Sequence, residues 1–386
     1  MSKLEKLIQQ YCPDGVEWKP LGECCNILDG KRKPITKGAR QSGPYPYYGA
    51  NGIQDWVANY IFDGTYVLIG EDGSVITPNG TPVVNWAQGK IWVNNHAHII
   101  AEKTGVLLRF LFYYIQIIDI HNLVHGNIPK LTQGDLKELE IPVPPLPVQE
   151  EIVRVLDTFT ELQAELQAEL QKRLQQYNYY RDNLLSFEGR TDVQWKKLNE
   201  VATVYDGTHQ TPAYKESGIP FISVENIGNI YNSRKYISRE DFDKYKTKPR
   251  MGDVFMTRIG SIGVCAVFEK QVDIAYYVSL ALIRPNQDAV NSRYLKHIIE
   301  SLTGCKELRK RTLVNAVPIK VNKDDIGKIV LPFPSLTEQQ RIVSILDRFD
   351  TLTNDLTSGL PAEMEKRRQQ YEFYRDKLLT FKRKEA

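Results

Sequence analysis

Three residues near the start of the chain, Asp14, Glu17 and Lys19, have side chains that could hold a divalent cation and activate water against a phosphodiester. Their spacing is too tight for this chemistry, because the carboxylates of metal-dependent nucleases normally come from separate structural elements. Gln194 also replaces Glu17 where this stretch recurs later in the chain. We therefore predict no nuclease site here.

Two histidine pairs, His96 with His98 and His121 with His125, have spacings that occur in metal sites. Gly126 follows the second pair and predicts a turn instead of the helix that an i, i+4 pair needs. The chain has no G-x-x-x-x-G-K-[ST] loop, no G-x-G-x-x-G and no Asp/Asn-Pro-Pro-aromatic tetrad of amino-methyltransferases. We therefore predict no catalytic residue, no metal site and no cofactor in this chain.

Clusters of lysine and arginine, interleaved with aromatic and amide side chains, are the stronger candidates for function. Cationic side chains bind phosphates, and arginine, asparagine and glutamine can recognise base edges. The candidate DNA-binding residues are Lys31, Arg32, Lys33, Lys37, Arg40, Tyr47 and Asn51 in the first half of the chain, and Arg234, Lys235, Lys246, Lys248, Arg250, Arg258, Arg309 and Arg311 in the second. For each single residue, a solvated surface loop is the alternative.

The elements that must position these clusters occur twice. Residues 172–187 (KRLQQYNYYRDNLLSF) and 366–381 (KRRQQYEFYRDKLLTF) are identical at eleven of 16 positions. Residues 141–159 likewise match 331–349, and a shorter match pairs Asp29-Gly30 with Asp206-Gly207. Between these matches the two halves diverge. Each half is therefore a variable block joined to a constant one, in a pseudo-two-fold repeat.

The constant blocks are predicted to be helical. Apolar residues recur at steps of three and four through 148–187, which predicts one helix of about 60 Å. The second copy, 335–386, contains Gly359 and Pro361, so we predict a break near 358–361. The residues predicted to pack between the helices or against a partner protein are Leu162, Leu166, Leu170, Tyr177, Tyr180, Leu184, Leu352, Tyr371, Tyr374 and Leu378.

The variable blocks, 1–147 and 188–334, differ in character from the helices. They are rich in glycine, proline and aromatic residues, and turn signals interrupt their short apolar runs. The predicted fold class is therefore α+β: two mixed α+β domains, 1–147 and 188–334, separated by long coiled-coil-like helices, 148–187 and 335–386.

Composition limits the remaining choices. Of 386 residues, 42% are hydrophobic and 25% charged, which is typical of a soluble globular protein. The net charge of +3 combines −3 over 148–187 with +6 over 188–334, so local clusters must carry any binding to a polyanion. Five cysteines without a C-x-x-C pair suit a reducing compartment. We expect a cytoplasmic protein, since the sequence has neither a membrane span nor the apolar core of a secretory signal.

The chain resembles the DNA specificity (S) subunit of type I restriction–modification enzymes over essentially its whole length. The resemblance rests on IPVPPLPVQEEI (141–152) and LPFPSLTEQQRI (331–342), on the two Tyr-x-x-Tyr-Arg-Asp-x-Leu-Leu helix ends, and on the alternation of variable and constant blocks. It implies two target-recognition domains held apart by two antiparallel helices. Each domain would then read a few base pairs of a split, asymmetric target in double-stranded DNA.

The resemblance also implies partners. The helices would set the unread spacer and dock two methyltransferase (M) subunits, which would recruit restriction (R) subunits. Adenine methylation and ATP-dependent cleavage, with S-adenosylmethionine, ATP and Mg²⁺, would belong to those subunits. There are two other hypotheses. The absent metal and nucleotide motifs speak against a free-standing enzyme such as a nuclease, whereas composition alone does not exclude a scaffold with two pendant protein-binding domains.

Overall fold

The computed structural model describes residues 3–124, 126–354 and 359–385. The chain divides into two compact units. The first unit comprises 1–166 and 364–386, and the second comprises 167–363. The division passes through both helical segments, so each unit contains part of each. The division into four segments that the sequence predicts, two domains and two helical spacers, stays a prediction.

The first unit consists of short helices and a sheet. Its elements up to the long helix are α1 (Lys3–Tyr11), β1 (Glu17–Pro20), α2 (Leu21–Cys24), β2 (Asn26–Ile27), β3 (Ser42–Gly49), β4 (Gly52–Val57), β5 (Phe62–Gly70), β6 (Val84–Val93), β7 (Ala97–Ala101), α3 (Leu108–Ile115), α4 (Gln133–Glu138), β8 (Glu140–Val143) and α5 (Leu146–Leu184). Six strands form one sheet in the order β2-β7-β5-β6-β3-β4, in which β3 runs parallel to β6. The hairpin from β3 to β4 turns at Ala50 and Asn51, and β4 begins at Gly52, whose φ of 92° favours glycine.

The second unit repeats this plan with shorter strands. Its elements are β9 (Gln194–Lys197), α6 (Leu198–Val201), β10 (Ala202–Asp206), β11 (Ile219–Ile222), β12 (Tyr236–Ile237), α7 (Arg239–Asp243), β13 (Val254–Thr257), β14 (Cys265–Val267), β15 (Ala275–Tyr276), β16 (Leu280–Pro285), α8 (Ser292–Glu300), α9 (Leu302–Arg309), α10 (Lys323–Gly327), β17 (Val330–Phe333) and α11 (Leu336–Asn354). The order β10-β16-β13-β14 matches β2-β7-β5-β6 of the first unit. The parallel pair recurs as β11 with β15.

The constant blocks are helical, as their periodicity predicts. Helix α5 is continuous over 39 residues. The second segment consists of α11 and then α12 (Leu360–Leu378), with Gly359 at a bend immediately before α12. Residue 358 of the predicted break lies outside the described residues. The predicted fold class is confirmed: two mixed α+β domains repeat, each joined to long helices.

The first unit is completed by residues from the far end of the chain. Val16 and Arg383 form a parallel bridge, and the Lys384 N–H donates to the Val16 carbonyl at 2.9 Å. Leu379 is buried in the same core as α3 and the start of α5. In the second unit the equivalent buried residues, Leu185 and Phe187, lead directly along the chain into β9.

Candidate nucleic-acid interface

The loop that follows β2 carries most of the cationic candidates of the first unit. Hydrogen bonds to the backbone of Lys33 hold the loop to the sheet. The Lys33 N–H donates to the Val93 carbonyl at 3.3 Å, and the Trp92 indole N–H donates to the Lys33 carbonyl at 2.6 Å. The side chains of Lys31, Lys33 and Lys37 project into solvent from this loop. Cations held on an ordered backbone are suited to phosphate contact.

Tyr47 and Arg40 support this loop from within. Tyr47 is 1% exposed, and its hydroxyl accepts from the Ile35 N–H at 3.0 Å. The Arg40 guanidinium lies 4.2 Å from the centre of the Tyr47 ring and pairs with Asp55 at 3.2 Å. The structure therefore corrects the expectation for Tyr47, which acts as a core residue here and is closed to a DNA strand.

The predicted contact Arg32 also turns inward. Its guanidinium pairs with Glu71 and, at 3.5 Å, with Asp29, and its side chain is only 12% exposed. The His98 ring lies between the acids, with Nδ1 2.6 Å from Asp29 Oδ2. This burial removes Arg32 from the side chains open to DNA in this structure.

Asp29, Glu71 and His98 are close enough together to be considered as a metal site. His98 Nε2 lies 2.9 Å from the Leu131 carbonyl, which can only accept, so this nitrogen is the donor of that hydrogen bond. Nδ1 is engaged by Asp29, and Arg32 already supplies the positive charge. In this structure the group forms a largely buried ion-pair network.

The Asp29 carboxylate stabilises the fold of the first unit. Burial alone would raise the pKa of Asp29, but hydrogen bonds from the His98 ring, the Ile99 N–H and the Gln133 side chain hold it below its ordinary value. A carboxyl with a depressed pKa stabilises the folded state above its unfolded pKa of about 4 and loses this contribution as pH falls further.

We therefore expect Asp29→Asn to lower the free energy of unfolding by about 1–3 kcal/mol at pH 7. The difference from the parent should shrink below about pH 4, where the parent carboxyl also takes up a proton. Thermal unfolding across this pH range measures both effects. The exposed Asp119→Asn is the control, and an equal loss in both variants would contradict the assignment.

The second unit has an aspartate at the equivalent position, with a different cation and with its side chain 29% exposed. Asp206 pairs with Arg258, whose Nε donates to the Val321 carbonyl at 3.1 Å. Arg258 occupies the position after β13 that Glu71 occupies after β5, because Val321 N–H bonds the Arg258 carbonyl as Leu131 N–H bonds that of Glu71. Arg258 is 7% exposed, so the prediction that it contacts DNA is corrected in the same way.

The other candidates of the second unit are at the surface, and several are paired. Lys235 lies 3.1 Å from Glu225, Lys248 2.7 Å from Asp243, and Arg311 2.8 Å from Glu307. Four more are exposed: Arg234, Lys246, Arg250 and Arg309. Asn51 of the first unit is likewise exposed, at the tip of the β3–β4 hairpin.

One cleft of the second unit brings a candidate together with residues that sequence reasoning missed. Lys246 lines an open cleft of about 560 Å³ whose other wall is the loop after Asp206-Gly207, with His209 and Gln210. Both of these side chains are exposed. In the first unit Trp56, 51% exposed, was missed as well. For His209 and Gln210 the repeated Asp-Gly pair was the available signal, because it marks the start of their loop and of the equivalent loop in the first half.

Among the residues predicted for helix packing, three tyrosines contact phenylalanines of their own unit. In the first unit Tyr371 and Tyr374 lie 6.3 and 5.6 Å from Phe159, and in the second Tyr180 stacks on Phe349 at 5.5 Å. Tyr177 is buried, whereas Tyr180, Tyr374 and Leu352 are between 37% and 40% exposed. The half-buried leucines are Leu162, Leu166, Leu170, Leu184 and Leu378.

A buried glutamine joins each domain to its long helix. Gln149, 0% exposed, accepts from the Leu107 N–H at 2.8 Å and donates to the carbonyls of Gly105 at 3.1 Å and Pro144 at 2.7 Å. All three partners are backbone groups. The contact therefore depends on the path of the chain and not on the side chains of the variable block.

Gln339 makes the same three contacts in the second unit, with Asn291 N–H at 2.9 Å, Ala289 at 3.0 Å and Pro334 at 2.9 Å. An aspartate two helical turns later adds an ion pair in each unit. These pairs are Asp157 with Arg109 at 2.8 Å, and Asp347 with Arg293 at 2.5 Å. The two units thus share one way of attaching a domain to a helix.

Known proteins show the same organisation. Residues 13–176 and 191–366 match the family model of the type I restriction modification DNA specificity domain. A putative type I restriction enzyme specificity subunit of Haemophilus influenzae is 38% identical over 393 residues, which cover 98% of both chains. The EcoR124I/EcoR124II specificity subunit of Escherichia coli is 30% identical over 411 residues, covering 100% of this chain and 98% of that one.

Solved structures agree on the fold. The S subunit of a type I restriction–modification system from M. genitalium has a TM-score of 0.60 at 16% identity, covering 94% of this chain and 95% of its own. A chain from a study of complex assembly in the type I system has a TM-score of 0.53 at 19% identity, with 95% and 98% covered. No helix in the described ranges is long and apolar enough to cross a bilayer. The chain therefore belongs to the family of type I restriction–modification DNA specificity subunits, whose role is to recognise the DNA target.

Proposed function

We propose that each unit of this chain reads one part of a bipartite, asymmetric DNA target, and that the chain itself performs no catalysis. The observation that carries this proposal is that the two units share their domain–helix contacts but differ in their exposed side chains. Both units attach their domain to a helix through the same glutamine and aspartate contacts. The side chains that they expose to solvent differ, so the two halves of the target should differ too.

Different chemistry is available to the two readers. The first unit offers Lys31, Lys33 and Lys37 for phosphates, with Asn51 at a hairpin tip for a base edge. The second offers a cleft with Gln210 and Lys246, and further exposed arginines. Amide and guanidinium groups can form bidentate hydrogen bonds with adenine and guanine in the major groove.

The long helices offer surfaces for partner proteins. Tyr179 is 66% exposed and Phe373, its equivalent 194 residues later, is 64% exposed. Two similar exposed aromatic residues suit two copies of one partner. We propose that two M subunits dock there and recruit R subunits, that S-adenosylmethionine, ATP and Mg²⁺ are bound by those subunits, and that the complex acts in the cytoplasm.

Methylome sequencing of the host tests this function. We expect N6-methyladenine in one bipartite motif with an unread spacer, and loss of that motif when the gene for this chain is deleted. Restoring the gene on a plasmid is the control for effects on neighbouring genes. The assignment fails when the motif persists after deletion.

A further inference from the structure

One local arrangement recurs in both domains although the blocks around it diverge. Gly73 and Gly260 both have a φ of 76°, and a serine follows each. The Gly73 N–H donates to the Pro129 carbonyl at 3.0 Å, and the Gly260 N–H donates to the Ile319 carbonyl at 2.9 Å. Each glycine turn is therefore hydrogen-bonded to a second loop at the same place.

This second loop is also a repeat. Residues 123–131 (LVHGNIPKL) and 313–321 (LVNAVPIKV) lie 190 residues apart and share the leading Leu-Val and the lysine near the end, Lys130 or Lys320. His125, one of the predicted histidine pairs, belongs to the first copy and lies outside the described residues. The loops reach the surface with apolar side chains: Ile128 is 69% exposed and Val317 is 99% exposed.

Stability of the domains does not explain these exposed residues. A side chain in water contributes almost nothing to the buried apolar area that drives folding. A Cβ added at Gly73 or Gly260 would meet no atom within 4 Å, so the space in front of both turns is open. A surface arrangement that is repeated while its surroundings vary is expected to contact something that both domains meet.

Charge indicates the class of that ligand. Residues 306–323 contain six lysines and arginines but a single acid, Glu307. Lys320 is exposed and has no ion pair within the described part of the chain. Lys130 is half exposed, 3.4 Å from Glu71. A cation beside a glycine turn favours an anion such as a phosphate over an apolar protein surface.

We propose that the paired loops, Gly73-Ser74 with 126–131 and Gly260-Ser261 with 316–321, form one base-independent DNA contact in each domain. The lysine binds a phosphate, and the apolar residues of the loop pack on the deoxyribose beside it. The inference rests on the proposed function, because it assumes that both domains bind DNA. Since the loops are alike while the half-sites differ, this contact adds affinity without selecting bases.

Binding of the purified chain to two duplexes at rising salt tests the proposal. One duplex carries the target found by methylome sequencing, and the other carries it scrambled. We expect Lys320→Ala and Lys130→Ala each to weaken binding to both duplexes by the same factor, several-fold at low salt. The slope of log K against log salt should fall by about 0.9 for each phosphate that the variant no longer binds. Lys172→Ala, exposed on α5, should change neither quantity.

Val317→Ser separates the apolar part of the contact from the charge. This side chain is 99% exposed, so the variant should keep the parent's melting temperature while it weakens binding to both duplexes with an unchanged salt slope. Weakening on the target duplex alone would make the loop a base reader and overturn the proposal. Unchanged DNA binding together with failure to co-purify M subunits would make it a protein site. If the parent chain binds neither duplex, the proposed function fails.

Discussion

Replacing residues 12–146 with the corresponding block of another specificity subunit is expected to change one half of the methylated motif completely and to leave the other half intact. The reason is that the exchanged block carries the reading surface of the first unit, whereas its attachment to α5 is generic. Gln149 stays in the recipient and bonds the backbone of residues 105 and 107, which any block of this fold supplies.

Methylome sequencing of cells that express the exchanged chain measures this outcome. A second chain that carries its own 188–334 block in both places is the matched control, and its motif should contain the same half-site twice. A change in both half-sites after the single exchange would refute the assignment of one reader to each unit.

Gln339→Leu is expected to destabilise the second unit by about 3–5 kcal/mol, and Gln149→Leu the first unit by a similar amount. Each substitution leaves one buried carbonyl, that of Pro334 or Pro144, and two partly buried backbone groups without their partner. A fully buried group costs about 1–3 kcal/mol, and a partly buried one costs less. Leucine fills the space without replacing the hydrogen bonds, so packing gives little compensation.

Hydrogen exchange with mass spectrometry locates the damage. In Gln339→Leu the start of α8 should lose protection while α3 keeps it, and Gln149→Leu should show the reverse. Gln167→Leu, exposed on α5, is the control and should stay within about 0.5 kcal/mol of the parent. Equal protection in all variants would show that the glutamines do not hold the domains to the helices.

Sequence reasoning succeeded where a signal is repeated or periodic. The stripe of apolar residues predicted α5, because periodicity is a local property of the chain. The break predicted near 358–361 stays a prediction, since residues 355–358 lie outside the described part of the chain. The internal repeat predicted two related domains. The repeat also identified Asp29 and Asp206 as equivalent residues, but the sequence could not show that Arg32 and Arg258 pair with them.

Reasoning from residue type failed where burial decides the role. Arg32 lies in a run of cations and Arg258 follows a series of them, so both were assigned to phosphate-binding clusters. In the structure Arg32 pairs with Glu71 and Asp29, and Arg258 pairs with Asp206. Tyr47 lies between other tyrosines in a polar stretch of the sequence, but in the structure it is buried and its hydroxyl accepts a hydrogen bond from the Ile35 N–H of the loop. Gln149 and Gln339 were visible as a repeated residue, but only the three-dimensional path of the chain shows what they bond.

The bridge between Val16 and Arg383 has a consequence for synthesis on the ribosome. The second unit is complete once residue 363 has emerged, but the first unit lacks α12 and its pairing partner for Val16 until some 20 residues later. We therefore expect the first domain to be translated to be the last to finish folding. A nascent chain that stops after the second domain would release one finished reader and one with an open core.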